Sequence, residues 1–175
     1  ANTGSGSGNP DLLTTDEQGN VYAIVNWGSL LLGTYTEGSS SVRLVKLNNN
    51  AELIWYKIAS YNPGKLMSIK YANKSLYMNG IAATSTNQIS IFAPLNVQAA
   101  SQNIASHSEY FTAKADTSGN FIWVSSFSSS ISGAYGAGMG ISVFNDNIYT
   151  AGTFNYNVST LGNLNSPYQT VYNSN

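Results

Sequence analysis

The chain has 175 residues, a formal net charge of −1 at pH 7 and only 9% charged residues. Soluble domains usually carry about 25% charged residues, so we expect a neutral surface rich in hydroxyl and amide groups, which Ser, Thr and Asn supply at 60 positions. Seven Lys and Arg against eight Asp and Glu provide no basic patch, which argues against nucleic acid or an anionic membrane as a partner.

The absence of certain residue types and segments excludes several kinds of functional site. Cysteine does not occur, which excludes disulfides, thiolate nucleophiles and cysteine-ligated zinc. No apolar run reaches the roughly 18 residues of a membrane-spanning helix, so we expect no membrane insertion. A neutral polar surface favours an extracellular or cell-surface location, and sequons at Asn73 and Asn157 are possible glycosylation sites.

In chain order, apolar runs rich in Val, Ile, Tyr, Phe and Trp alternate with clusters of Asn, Gly, Ser and Asp, a pattern typical of strands and turns. No segment keeps a helical apolar period between caps. Residues 1–12 are predicted to be a flexible Gly/Ser-rich lead-in and residues 13–175 a single all-β domain. The predicted strands are 20–27, 41–48, 52–59, 66–72, 75–83, 88–93, 109–115, 120–127, 139–144, 147–153 and 167–173.

The predicted strands belong to an internal repeat. Lys46 and Trp55 recur 68 residues later as Lys114 and Trp123. The segment SIKYANKSLYMNG recurs 72 residues later as GISVFNDNIYTAG, so that Ile69, Asn73, Tyr77 and Gly80 correspond to Ile141, Asn145, Tyr149 and Gly152. Partial copies occur at 19–22 and at 166–175. Each unit holds four predicted strands, and so small a sheet needs neighbouring units to cover its faces.

The order of the motifs carries a family resemblance. DEQGNVY is followed by an LG turn, then by VRLVKLNNNAELIW, and the return is the glycine-rich GAGMGISVFNDNIYTAG. This order is similar to the SBBP repeat, the seven-bladed β-propeller repeat of exported bacterial and archaeal proteins, and the similarity covers most of residues 13–175. The resemblance implies propeller-type blades of four antiparallel strands. Two features depart from the family pattern: NNNAE replaces the usual Gly-Asn turn, and the connection over 84–108 is long.

The number of repeats affects the predicted architecture. About two and a half units are present, whereas closed propellers use roughly four to eight blades, so we expect an incomplete ring or a fragment of one. Open strand edges would then remain, and these pair readily with other strands. The expected partners are further blades of a longer chain and other copies of this chain, to which a terminal strand can be donated. A β-sandwich with a repetitive sequence is the alternative fold.

Catalytic chemistry finds little support in the sequence. The sole histidine, His107, lies in a polar segment with Glu109 two residues on, and a loop role explains it better than general-base chemistry. Asp16, Asp116 and Asp146 fall in predicted turns, where aspartate side chains bond their own backbone. The glycine run over 132–141 lacks the Gly-Lys-Ser/Thr of a phosphate loop and is expected to be a crowded strand crossing. We therefore predict no enzyme activity, no catalytic residue, no metal site and no cofactor.

Two main functions remain from these observations. The first is an extracellular structural or adhesive module, a surface or filament component that assembles through exposed strand edges with itself or with a larger chain. The alternative is a lectin-like module that binds carbohydrate or protein through aromatic side chains in loop-like segments. These candidate contact residues are Trp27, Tyr35, Tyr61, Tyr135 and Tyr156. A hydrolase or lyase that uses scattered carboxylates is a third possibility.

Overall fold

The computed structural model describes residues 12–26, 30–32, 35–37, 42–58, 64–84, 88–90, 96–98, 107–128, 136–154 and 160–162. All regular secondary structure in these ranges is β-strand, and all strand pairs are antiparallel, which confirms the all-β prediction. The strands are β1 (Leu13–Thr15), β2 (Val21–Asn26), β3 (Leu30–Leu32), β4 (Tyr35–Glu37), β5 (Val42–Leu47), β6 (Leu53–Ile58), β7 (Gly64–Ala72), β8 (Ser75–Thr84), β9 (Gln88–Ser90), β10 (Asn96–Gln98), β11 (His107–Asp116), β12 (Phe121–Ser128), β13 (Gly136–Phe144), β14 (Asn147–Phe154) and β15 (Thr160–Gly162).

Every predicted strand up to residue 153 has an observed counterpart. The predicted strand at 167–173 lies outside the described residues, as does most of the predicted lead-in. Five further strands were not predicted: β1, β3, β4, β10 and β15, each of three residues. A strand of that length is too short to display an alternating apolar pattern.

The strands form three principal sheets. The first sheet has the order β1-β2-β5-β6, and the second has the order β7-β8-β11-β12, with β15 added outside β12. The third consists of β13 and β14, while β3-β4 and β9-β10 are separate hairpins. The first and second sheets therefore have the same strand order. The β13-β14 pair corresponds to the first two strands of that order. Among the described strands these sheets do not close into a ring.

Two turns of the repeat share one hydrogen-bonding pattern. In each, an Asp side-chain oxygen accepts from the backbone N–H groups two and four positions further on, at 2.9–3.0 Å. The Asp residues are Asp16 and Asp116, which confirms their predicted role in turns. The fourth residue is Gly19 or Gly119, with φ near +78° or +79°, a region that glycine adopts without steric cost.

The NNNAE segment builds the same turn without glycine. Asn48 Oδ1 accepts from the N–H groups of Asn50 and Glu52 at 2.9 Å, as the aspartates do in the other two turns. Ala51 takes the glycine position with φ of 62°, where a Cβ costs about 1–2 kcal/mol. The departure from the family pattern therefore changes the strain of the turn and leaves its hydrogen bonds intact.

Shorter turns join β7 to β8 and β13 to β14. Each has two consecutive residues with positive φ, as a type I′ hairpin requires. The first pair is Asn73 and Lys74, and the second is Asn145 and Asp146, which confirms the turn role predicted for Asp146.

Each sheet has two faces because side chains alternate along a strand. We call "front" the face that carries Tyr22 in the first sheet, Tyr77 in the second and Tyr149 in the third, and "back" the opposite face. The front of the first sheet packs on the back of the second in one apolar core. Its buried members are Tyr22, Ile24, Val42, Leu44, Leu66, Ile69, Leu76, Met78, Phe111, Ala113 and Ala115. The third sheet lies on the front of the second, where β13 contacts β7, β8 and β11. In the described residues, the three principal sheets are thus stacked one on another.

Candidate functional site

The first two sheets carry the same row of side chains across three neighbouring strands. In the first sheet Tyr22 pairs with Lys46, which pairs in turn with Trp55. The equivalent residues of the second sheet are Tyr77, Lys114 and Trp123. The lysine ammonium lies 5.0 Å from the tyrosine ring centroid in the first sheet and 5.3 Å in the second, within the range of a cation–π contact. The sequence repeat is therefore also a repeat of side-chain environment.

The interface between the first and second sheets, here called a joint, contains stacked aromatic rings whose hydroxyl groups hydrogen-bond to carboxylates. The rings of Tyr22 and Tyr71 are stacked with centroids 6.1 Å apart, and Trp55 lies 6.2 Å from Tyr22. The Tyr22 hydroxyl donates to Asp16 Oδ2 at 3.1 Å, and the Tyr71 hydroxyl donates to Glu17 Oε2 at 2.6 Å. Because Tyr22 is fully buried, its hydroxyl needs such a partner. The turn after β1 is thereby fixed to both sheets.

These contacts shift four pKa values away from neutrality. Burial acts to raise the pKa of Asp16, but hydrogen bonds from Asn20 and Tyr22 hold it below its ordinary value. The Tyr71 hydroxyl lowers the pKa of Glu17, and the same bond raises the pKa of Tyr71 to about 12. Burial, followed by the bond to Asp16, raises the pKa of Tyr22. A general acid or base works best near the operating pH, so this cluster is suited to holding the sheets together and poorly suited to proton transfer.

The turn around Asp116, which belongs to the second sheet, also contacts the first sheet at this joint. Gly119 lies against the six-membered ring of Trp55: a Cβ added to the glycine would be 2.9 Å from Cη2 and 3.0 Å from Cζ3. Such distances are too short for a real Cβ contact, so only glycine fits under the ring. The tryptophan of one unit thus packs over the glycine turn of the next.

The joint between the second and third sheets is bridged by two asparagine side chains, and we call it the polar joint. Asn79 is buried; its Oδ1 accepts from the Ser68 hydroxyl at 2.8 Å and its Nδ2 donates to the Gly140 carbonyl at 2.6 Å. Nearer the turns, Asn73 Nδ2 donates to Asp146 Oδ1 at 2.5 Å. The crowding expected in the glycine run is not found at Gly140, where an added Cβ would meet no atom within 4 Å. The structural role of Gly140 is that of its carbonyl, which accepts the hydrogen bond from Asn79 Nδ2.

Two surfaces stand out because their repeat counterparts are buried. On the front of the third sheet Tyr149 is 55% exposed, and Phe144, on the same face, is 66% exposed. On the back of the first sheet Leu13 is 62% exposed. The sequence repeat aligns Tyr149 with Tyr77, but the exposure of each ring depends on whether another sheet covers it, which the repeat does not encode.

The outer edges of the first two sheets also differ. The last residues of β12 pair with β15, which follows the third sheet in the chain. No described strand pairs with the outer edge of β6, the counterpart of β12 in the first sheet. Ile54 and Ile122 occupy equivalent bulges on these two strands and are 49% and 51% exposed. The edge of β6 is therefore a candidate site for an added strand.

Most of the contact residues predicted from sequence fall outside the described part of the chain: Trp27, Tyr61, Tyr135, Tyr156 and the sequon residue Asn157. Tyr35 lies on strand β4 and not in a loop as predicted, and its side chain is outside the described residues. Asn73 is exposed at the β7–β8 turn, where its amide nitrogen, the atom that would carry a glycan, bonds Asp146. His107 and Glu109 lie on strand β11, where His107 pairs with Thr84, so the loop position predicted for His107 is wrong. Their side chains are likewise outside the described residues.

Comparisons with family models, with curated proteins and with solved structures found no match to the chain. Within the described ranges no group of three or more His, Asp or Glu side chains is placed to hold a metal ion. The same ranges contain no helix long and apolar enough to cross a membrane. The joints, faces and edges of the sheets are the features that bear on function.

Proposed function

We propose that this chain is a non-enzymatic, extracellular structural or adhesive module that assembles with copies of itself or with a larger chain. The observation that carries the proposal is the outer edge of β6 (Leu53–Ile58), with which no described strand pairs. In the second sheet the last three residues of β12 pair with β15, a three-residue strand from the next unit. Main-chain hydrogen bonds at such an edge can join separate chains.

The arrangement that best fits this role is a partial stack of propeller-type blades, related to the SBBP repeat. Support comes from the shared strand order, from the repeated Tyr–Lys–Trp row and from the way β7 and β13, the first strands of their units, contact the preceding sheet. A two-layer β-sandwich accounts less well for the third sheet, which lies on the side of the second sheet opposite the apolar core. The low charge of the chain suits association that is insensitive to salt.

Substitution at the two equivalent bulges tests the proposal. Ile54→Lys places a charge on the open edge of β6, where lysine opposes strand pairing, and Ile122→Lys makes the same change on β12. We expect the unmodified chain to form oligomers in sedimentation velocity experiments, Ile54→Lys to reduce them, and Ile122→Lys to leave them unchanged. A chain that stays monomeric at every concentration would contradict the proposed function.

A lectin-like function is the second candidate. Phe144 and Tyr149 are exposed on one face of the third sheet, and the exposed polar residues Ser142 and Asn147 lie beside them. Exposed rings flanked by hydroxyl and amide groups are suited to a sugar ring. Binding to a glycan array that is lost in Tyr149→Ala and retained in Ile122→Ala would favour this function over self-assembly.

A further inference from the structure

One tyrosine position is buried in two sheets and exposed in the third. Tyr22 is 0% exposed and Tyr77 is 3% exposed, whereas Tyr149 is 55% exposed. The back of the second sheet covers Tyr22, and Tyr77 lies on the face that receives β13. No described sheet lies on the front of the third, so Tyr149 lacks the cover that both of its counterparts have.

An apolar position on the back of the sheets shows the complementary pattern. Leu13 pairs with Ala23 in the first sheet, as Ile69 pairs with Met78 in the second and Ile141 with Thr150 in the third. Ile69 is only 3% exposed because it lies in the joint with the first sheet, and Ile141 is half-buried. Leu13, on which no described sheet lies, is 62% exposed.

Both internal joints place the first strand of one unit across the front of the preceding sheet. β7 contacts β1, β2 and β5, and β13 contacts β7, β8 and β11 in the same way. A third joint of this kind would place a first strand across β13 and β14. β1 is a first strand whose back side chain is exposed, so it has the surface that such a joint requires.

The open parts of the two surfaces match in extent and polarity. On the first sheet the back of β5 is already covered, since Val45 is 2% exposed and Arg43 is fully buried, so the open part lies over β1 and β2. The third sheet offers the equivalent two strands. The side chains of the two open parts carry no charge: Leu13, Thr15, Val21, Ala23 and Val25 on one, and Ser142, Phe144, Asn147, Tyr149 and Ala151 on the other.

We propose that the front of the third sheet, centred on Tyr149, docks on the back of the first sheet, centred on Leu13, of a second copy of this chain. The inference rests on the proposed function and adds a second contact surface to the edge of β6. Because the two surfaces differ, the contact is head-to-tail, and successive copies extend into a ring or a filament. Each patch spans only two strands, about 4.8 Å apart, so a single contact is weak and concentration-dependent.

Two variants test this geometry in the full chain. Leu13→Asp disables the back surface and leaves the front surface intact, and Tyr149→Asp does the reverse. Both residues are exposed, so the variants are expected to fold, and circular dichroism checks this. With Ile54→Lys present in every sample to exclude pairing at the edge of β6, each variant alone is expected to be monomeric by sedimentation velocity, with association weakened at least tenfold. An equimolar mixture is expected to form dimers and nothing larger, because it contains a single intact pair of surfaces.

The remaining outcomes separate this inference from the proposed function. Ile122→Asp, which changes an exposed apolar residue outside both surfaces, should assemble as the unmodified chain does. If both variants still assemble normally, or if their mixture stays monomeric, the head-to-tail contact is wrong. The proposed function is then tested by Ile54→Lys alone. If the unmodified chain never associates, both fail. Leu13→Ser and Tyr149→Ser replace the Asp variants if those lower the melting temperature.

Discussion

Replacing Gly119 by alanine tests the fit between the first and second sheets. The turn glycine meets two separate obstacles to a side chain. Its φ is +79°, and the added Cβ would lie 2.9–3.1 Å from atoms of Trp55 and Lys57. Gly19 is the matched control, because it has φ of +78° in the same kind of turn, and its nearest neighbour is Asn49 Cβ at an ordinary 3.5 Å.

The expected losses follow from these distances. Alanine at positive φ costs about 1–2 kcal/mol, and the lower entropy of the unfolded chain offsets about 0.4–1 kcal/mol of this. Gly19→Ala should therefore lower the free energy of unfolding by about 1 kcal/mol. At Gly119 the Trp55 ring must also shift within a packed joint, which adds about 1–3 kcal/mol, so Gly119→Ala should cost about 2–4 kcal/mol.

Urea denaturation of both variants measures these losses as a change in midpoint at constant slope. Trp55→Phe removes the ring atoms closest to Gly119, so the double variant should lose about 1–2 kcal/mol less than the sum of the single changes. Equal losses at Gly19 and Gly119, or additive losses in the double variant, would refute the contact between ring and turn.

Four further predictions concern strain, pH and the polar joint. Ala51→Gly should raise the free energy of unfolding by about 0.5 kcal/mol, because αL strain is relieved at some entropic cost; a lower denaturation midpoint would contradict this. The pKa of Asp16 in the folded state is below its ordinary value of 3.8. The ionised carboxylate therefore stabilises the fold above pH 3.8, and this stabilisation is lost as the pH falls through the folded-state pKa. The melting temperature should drop in acid, and the drop should be smaller in Asp16→Asn. The pKa of Tyr71 is raised to about 12, so its contribution is present below its ordinary pKa of 10.0 and lost as the pH rises towards 12, and Tyr71→Phe should remove that alkaline transition. Asn79→Ala leaves the Gly140 carbonyl without this donor and should cost about 1–3 kcal/mol, with faster amide exchange in β13; unchanged exchange there would contradict the role of Asn79.

Much of the fold was predictable because the repeat carries both strand and turn signals. Alternating β-branched and aromatic residues mark the long strands, and the Asp-x-x-Gly-Asn pattern marks turns in which one aspartate satisfies several backbone groups. Strand β1 was missed because Leu13–Thr15 is too short to show alternation, although the repeat predicts a strand before each Tyr position. The NNNAE turn shows that asparagine can replace aspartate when Ala51 accepts the positive φ.

The candidate surfaces were less predictable, for a physical reason. Tyr22, Tyr77 and Tyr149 occupy equivalent places in the sequence, and their burial differs because it is set by the neighbouring sheet. The polar joint was missed as well. Asn79 stands where the first sheet has Ile24, and only the position of the Gly140 carbonyl explains why an amide is buried there.

The contrast between the two joints has a mechanical consequence. An apolar interface with stacked rings yields gradually, because its attraction scales with the area still in contact. The bonds from Asn79 and Asn73 to the third sheet are directional and weaken over a short displacement. If linked copies are pulled apart, we expect the third sheet to detach abruptly at small extension while the first two sheets stay together. Each copy would then unfold first at the interface between its second and third sheets.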